Sequence, residues 1–189
     1  MPETITTNVS NVTAGKPAVA GAIYRAPLGT ELPTDAKTPL SNAFISLGYC
    51  GEDGFRNDNN RTVRKIKAWG GQNVLTVQEE VADDFKVNLI EVLNVNVLKA
   101  IYNDGNVTEA NGLVTLNVTT EENAEGVWVC DMVMRGNKLK RVIIPRGQIT
   151  NMEEIVYVDN DAVGYNVTIT ATAFEGNKTH REFIEAASA

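Results

Sequence analysis

The chain of 189 residues contains one histidine, two cysteines and two tryptophans, and each shortage closes off a class of chemistry. With His180 alone, a zinc site built on two or more histidines and a Ser-His-Asp triad are both disfavoured, and a surface histidine is the expectation. Cys50 and Cys130 lie in separate apolar stretches with no CxxC spacing, so they read as buried free thiols rather than a disulfide. No apolar run approaches the roughly 20 residues that cross a bilayer, and the start MPETITTNVS has neither a basic nor an apolar signal region. The expectation is a protein made and kept soluble in a cytoplasm. Cations are also short, 17 Lys and Arg against 24 Asp and Glu for a formal net charge of -7. Wrapping nucleic acid by phosphate neutralisation needs clustered cations, so repulsion of nucleic acid fits this balance better than binding.

What is present is globular in composition, 43% hydrophobic and 22% charged, and of a length for one domain with arms. Residues 1–40 are rich in Thr, Asn, Ala, Gly and Pro. Pro17, Pro27, Pro33 and Pro39 are spaced too closely for a long helix or a central strand, so this stretch reads as an N-terminal arm and draped loop. From Ser41 to the end, short apolar runs of strand length follow one another at 43–49, 74–77, 85–90, 113–118, 127–134, 139–144, 155–158 and 163–173, separated by Gly, Asn and Asp. Val163, Tyr165, Val167, Ile169 and Ala171 share one side of a strand, while Asn166, Thr168, Thr170 and Thr172 take the other. Arg135-Gly136-Asn137-Lys138 predicts a hairpin between 127–134 and 139–144. One helix is predicted at 94–103, with Asn94 as its N-cap and the Asn103-Asp104-Gly105 run as its stop, Gly105 being able to take positive φ. The fold class is mainly β, an antiparallel β-sandwich or barrel with one flanking α-helix and a short C-terminal tail.

Charge is sorted by segment. Arg61, Arg64, Lys65 and Lys67 precede Trp69-Gly70-Gly71, and Arg135, Lys138, Lys140, Arg141 and Arg146 form a second basic stretch. Glu79, Glu80, Asp83 and Asp84 are acidic, as are Glu153, Glu154, Asp159 and Asp161. Any one run reads first as solvated surface, but opposite patches on a small body also invite head-to-tail association. Along 74–90, read as one strand, Thr76, Gln78, Glu80, Ala82, Asp84, Lys86 and Asn88 face one side. Glu79 and Asp83 fall on the apolar side, which suggests a bulge near them. That polar face is either a solvated sheet surface or the lining of a water-filled channel made by several copies. The Asn57-Asp58-Asn59-Asn60 run lacks the fixed glycine and downstream glutamate of a calcium loop and reads as a plain turn.

Gly21-Ala22-Ile23-Tyr24, Ala26-Pro27-Leu28-Gly29-Thr30, Leu47-Gly48-Tyr49 before Glu52-Asp53-Gly54, Lys67-Ala68-Trp69-Gly70-Gly71, Asp131-Met132-Val133-Met134-Arg135-Gly136 and Lys140-Arg141-Val142-Ile143-Ile144-Pro145 together resemble, in order and spacing, the major tail proteins of long-tailed, non-contractile phages of Gram-positive bacteria. The resemblance runs from about Lys16 to Phe183. It implies a tail tube fold similar to type VI secretion tube proteins, with stacked, typically hexameric rings forming a channel for genomic DNA. Its partners would be further copies of itself, a tape-measure protein and double-stranded DNA in the lumen, tail-tip or initiator proteins and a tail terminator. It implies no cofactor, no metal, no catalytic residue and no membrane binding, and a virion tail assembled in the host cytoplasm. In that frame the lumen-facing candidates are Thr76, Gln78, Glu80, Asp84, Asn166, Thr168, Thr170 and Thr172. A long inter-ring loop is expected at about 51–71, with Arg56, Arg61, Arg64, Lys65, Lys67 and Trp69 as contact candidates. The alternative is a soluble β-sandwich binding or adhesion module, although the aromatics are scattered rather than gathered on one concave face. An enzyme fits least, because no base, electrophile or metal partner converges on the carboxylates.

Overall fold

Alternation at period two dictates a strand with one buried face, and Tyr165–Ala171 obeys it: Tyr165, Val167, Ile169 and Ala171 are buried, with half-exposed residues between them. The computed structural model describes residues 7–18 and 21–187. Residues 1–6 and 19–20 of the expected N-terminal arm, and the last two of the C-terminal tail, lie outside the described residues. The strands are β1 (Gly15–Pro17), β2 (Ile23–Pro27), β3 (Ile45–Ser46), β4 (Arg56–Lys67), β5 (Asn73–Leu89), β6 (Val107–Ala110), β7 (Leu113–Leu116), β8 (Gly126–Met134), β9 (Lys138–Met152), β10 (Tyr165–Ala171) and β11 (Arg181–Ala186), with helix α1 (Val95–Tyr102) after β5. A nine-stranded antiparallel sheet has the order β3-β2-β8-β9-β10-β5-β4, with β1 also on β8 and β11 on β9; β6 and β7 pair separately. The fold is mainly β and antiparallel, as the sequence pattern implies.

The sheet closes on itself. Leaving β3, the chain donates the Leu47 N–H to the Ile23 carbonyl at 2.9 Å, accepts the Ile90 N–H on the Tyr49 carbonyl at 3.2 Å, and donates the Gly51 N–H to the Asn88 carbonyl at 2.9 Å. This seam ties β2 to β5 and makes β2, β8, β9, β10 and β5 the staves of a barrel, which removes the edges an open sheet would expose. Gly48 makes the step between the two partners at φ 75°. A Cβ there would overlap the Glu91 carboxylate, which accepts the Tyr49 N–H at 2.8 Å and Asn94 Nδ2 at 3.0 Å.

Inside the barrel, Ile23, Phe85, Leu89, Trp128, Ile144 and Ile169 pack with Val97, Leu98 and Ile101 of α1. The helix is placed as expected, and the Asn94 side chain accepts the Asn96 N–H at 3.0 Å. Its stop falls in the expected Asn103-Asp104-Gly105 run, with the positive φ of 71° taken by Asn103 rather than by Gly105. The helix plugs one mouth of the barrel, where Tyr102 meets Tyr165 edge-on at 6.2 Å. The other mouth is an open groove of about 860 Å³ lined by Phe55, Phe85, Cys130, Met132 and Val142 among others.

The outer side of β2, β8 and the first half of β9 is covered by residues 28–44. Phe44, Val127, Val129 and Ile143 form a second apolar cluster there, joined by Leu32, Leu40 and Phe183. Arg141 pins the covering segment. Its Nε and Nη2 reach the Asp131 carboxylate at 2.7 and 2.9 Å, and its Nη1 donates to the Asp35 and Thr38 carbonyls at 3.0 and 2.9 Å. The side chain is 4% exposed, so Arg141 is a buried anchor and not part of a solvated basic stretch; a bidentate partner and two carbonyls offset the cost of burying the charge.

Several expectations need correction. The division at residue 41 cuts through the barrel, because β2 is one of its staves. Residues 155–158 form no strand, and 57–60 are not a turn but the start of β4. The β8–β9 hairpin is where it was expected, turning through Gly136 and Asn137 at φ 75° and 55°. Both cysteines are free thiols, Cys130 buried and Cys50 half-buried; burial, with Glu91 nearby, pushes the Cys50 thiol up to about 11.

Candidate functional site

Beyond the barrel, β4 and the first half of β5 continue as a two-stranded ribbon. All twelve residues of β4 are exposed, and β5 becomes half-buried or buried only from Ala82 onward, Val77 excepted. The ribbon projects roughly 35 Å beyond Asp83, at ~3.3 Å per residue. Its tip turns through Ala68, whose N–H donates to the Gln72 carbonyl at 2.8 Å, and through Gly70 and Gly71 at φ 107° and 91°. Trp69 stands there fully exposed. The expected inter-ring loop at 51–71 is thus half of a hairpin arm, whose other half is β5 itself.

The register of the arm sorts its side chains. Thr62 pairs with Glu80 but Val63 pairs with Gln78, so Glu79 is the extra residue of a bulge. Partners directly opposite share a face, and β4 alternates without interruption. Its even face carries Asp58, Asn60, Thr62 and Arg64, with Asp84, Ala82 and Glu80 across from the first three. Its odd face carries Arg61, Val63 and Lys65, opposite Val81, Gln78 and Thr76, and then Lys67. Thr76 and Gln78 therefore do not share a face with Glu80 and Asp84, and all of the first three are on the arm. Arg64 is engaged within its own chain, Nε 2.7 Å from Glu79, and Arg56 lies at the arm's root, 3.4 Å from Asp53.

On the barrel, Asp84 pairs with Thr170, Lys86 with Thr168 and Asn88 with Asn166, all on the outer side of β5 and β10. Thr170 Oγ1 donates to Asp84 Oδ1 at 2.6 Å and lies 2.7 Å from Thr150 Oγ1 on β9. Thr172 follows just past the end of β10 and is exposed. Among the described residues this face has no covering segment comparable to 28–44. It is a hydroxyl and amide surface of mixed charge, since Lys86 lies 3.7 Å from Asp58.

The sequence reading missed the joint between arm and barrel. Asp83 keeps its register, points inward and is 0% exposed. It accepts Asn57 Nδ2 at 2.7 Å and Asn59 Nδ2 at 3.2 Å, and lies 2.5 Å from His180 Nδ1. Burial is the largest single influence on its carboxyl and pushes the pKa up, but hydrogen bonds from Thr179, Asn57, His180 and Asn59 together outweigh it and hold the group below its ordinary value. His180 is consequently half-buried and held at the joint rather than free on the surface; its ring also packs edge-on against Phe85 at 5.2 Å. Two asparagines at i and i+2, facing a carboxylate of apolar parity, were the available signal.

Among the described residues no group of three or more His, Cys, Asp or Glu is placed to hold a metal ion, and no helix is long and apolar enough to cross a membrane. The arrangement offers surfaces rather than a reaction centre: a bare polar barrel face and a free-standing ribbon ending in an exposed indole. No curated protein matches the chain. The family model described as phage tail tube protein matches residues 7–188, so nearly the whole chain, barrel and arm included, belongs to the phage tail tube protein family.

Proposed function

We propose that copies of this chain, which as tail tube subunits self-assemble into a tube with other tail components, do so as stacked, hexameric rings whose bore passes genomic DNA into the host. The observation that carries the reading is the arm. A two-stranded ribbon with solvent on both faces is marginal by itself, and one that keeps Val63, Ile66, Val74, Leu75 and Trp69 exposed is shaped to be buried on another molecule. A further copy is the partner that a tube requires, so the arm serves as the inter-ring contact, through Arg61, Lys65, Lys67 and Trp69 more than through the internally paired Arg56 and Arg64.

The polar face of β5 and β10 is the candidate bore. Asp84 with Asn166, Thr168 and Thr170 would meet passing DNA with a carboxylate and small neutral groups, while Glu80 extends the face onto the arm. Repulsion of phosphate by Asp84 and Glu80 favours sliding over sticking, and the cations on the same face have carboxylates beside them, Lys86 at 3.7 Å from Asp58 and Arg56 at 3.4 Å from Asp53. A tape-measure protein would occupy the same bore before DNA, and initiator and terminator proteins would close the ends. The parent particle is read as a long, non-contractile tail assembled in the cytoplasm of a Gram-positive host. Negative-stain electron microscopy of the concentrated protein tests this: stacked rings with a stain-filled axial channel are expected, and solid fibres without a channel would refute the bore.

A further inference from the structure

We propose that the odd face of the arm docks on the loop between β9 and β10 of a second copy, residues 153–164, an inference that rests on the tube reading and names the acceptor for the arm. Position is the first argument. The loop lies at the helix-plugged end of the barrel: the Glu153 N–H donates to the Asn166 carbonyl at 2.9 Å, and Tyr102 Oη lies 4.0 Å from Met152 Sδ. Tyr157 is close enough to Tyr102 and Tyr165 to add to the rise that burial imposes on their hydroxyls. Strand β5 runs from the arm tip to that same helix, so the arm leaves by the opposite mouth. A donor at one end and an acceptor at the other make a heterologous contact that repeats from copy to copy without closing on itself.

Composition is the second argument. The odd face of the arm carries Arg61, Lys65 and Lys67 around Val63, and none of these cations forms an ion pair among the described residues. The bulge at Glu79 is what keeps it free of carboxylate, by leaving that side chain with Arg64 on the even face. The loop is its counterpart. Val156, Tyr157 and Val158 are 51%, 75% and 47% exposed, flanked by Glu153, Glu154, Asp159 and Asp161, none of them ion-paired among the described residues. Each surface has an apolar centre and a rim of one sign, and the signs are opposite. The mouth beside the arm's root is a poorer acceptor because its charges are mixed, Lys16 and Lys140 with Glu52, Asp53 and Glu182, and Lys140 is already paired with Glu182 at 2.9 Å. The polar barrel face is poorer too, because it is mixed in charge, with Arg56 opposite Lys86 beside Asp58 opposite Asp84, and has no apolar centre.

A charge exchange on the full chain tests the contact. Arg61→Glu with Lys65→Glu reverses the donor, Glu154→Lys with Asp159→Lys reverses the acceptor, and the quadruple variant restores opposite signs. Sedimentation velocity and electron microscopy read assembly, and thermal melts confirm that these exposed substitutions leave the subunit folded. Each reversal alone should raise the concentration needed for association by about 30-fold or more, and the quadruple variant should return to within about threefold of the parent. If the parent forms tubes and the acceptor reversal forms them equally well, or the quadruple variant is no better than either reversal, the loop is not the acceptor and the tube reading stands. If the parent forms no rings or tubes at any concentration, the tube reading fails and this inference goes with it.

Discussion

Residues 82–89 of β5 alternate between buried and half-exposed side chains, with β10 on one edge and β4 or the 49–51 seam on the other. Residues 73–81 of the same strand have β4 on one edge, no strand on the other among the described residues, and solvent on both faces. Both halves are rich in the residues that favour strands, so β propensity does not distinguish them. Neighbours do. The inner half is stabilised by burial inside the barrel, whereas the outer half keeps a comparable apolar content without a surface to bury it. In a protein that works alone this would be an aggregation hazard. On the proposed reading it is interface held ready for the next copy, made on the same strand so that the barrel fixes its direction.

The sharpest way to break this contrast uses one residue type in both halves. Leu89 is 0% exposed and Leu75 is 54% exposed. Leu89→Ala should destabilise the monomer by about 2–5 kcal/mol, through lost burial and a residual cavity. Leu75→Ala should change monomer stability by less than about 0.5 kcal/mol, while weakening association. Urea unfolding below the association threshold checks both, and equal losses for the two variants would show that the arm packs on its own barrel.

The joint between the halves should give the next largest effect. Asp83→Asn removes the ionised acceptor shared by Asn57, Asn59 and His180, at roughly 1–3 kcal/mol or somewhat more for a charged group. Its pH dependence has a definite sign. The folded pKa of Asp83 lies below the ordinary 3.8, so its contribution is fully present above that value and is lost as pH falls through the lower folded value. Below about pH 4 the parent should therefore lose part of its advantage over Asp83→Asn, measured as the difference in urea midpoints. A difference that grows on acidification would mean that the carboxyl is protonated in the folded chain.

These elements also show where sequence was readable. The alternation in β10, the helix after Asn94 and the hairpin through Gly136-Asn137 each follow from residues within one or two turns of each other, and each stands close to where the pattern puts it. The Asp83 joint, the Arg141 anchor and the barrel seam could not be read that way. Asn57 and Asp83 are 26 residues apart and Arg141 and Asp35 are 106 apart, so no local pattern records the pairing. For the surfaces, Glu79 and Asp83 look alike in sequence as carboxylates on an apolar parity. One is the bulge and the other is buried, and only the register of β4 separates them. That bulge is also why Thr76 and Gln78 leave the face they share in a simple alternation.

The smallest expected effect on the monomer is at the tip. Trp69 is fully exposed, and the turn that presents it depends on Gly70 and Gly71 in left-handed conformations and not on the indole. Trp69→Ala should therefore leave the unfolding midpoint of the monomer within about 0.5 kcal/mol of the parent. Association is where it should register, because a large aromatic that becomes buried in a contact commonly carries about 2 kcal/mol or more of the binding. Trp128 is already buried at 2% exposure, so any blue shift of tryptophan emission on assembly reports Trp69 alone. A shift with intact association in Trp69→Ala would make the tip a bystander covered by the contact. Lost association with unchanged stability would place the tip among the residues that hold copies together, and complete the contrast between a half-strand that folds the subunit and one that joins it to the next.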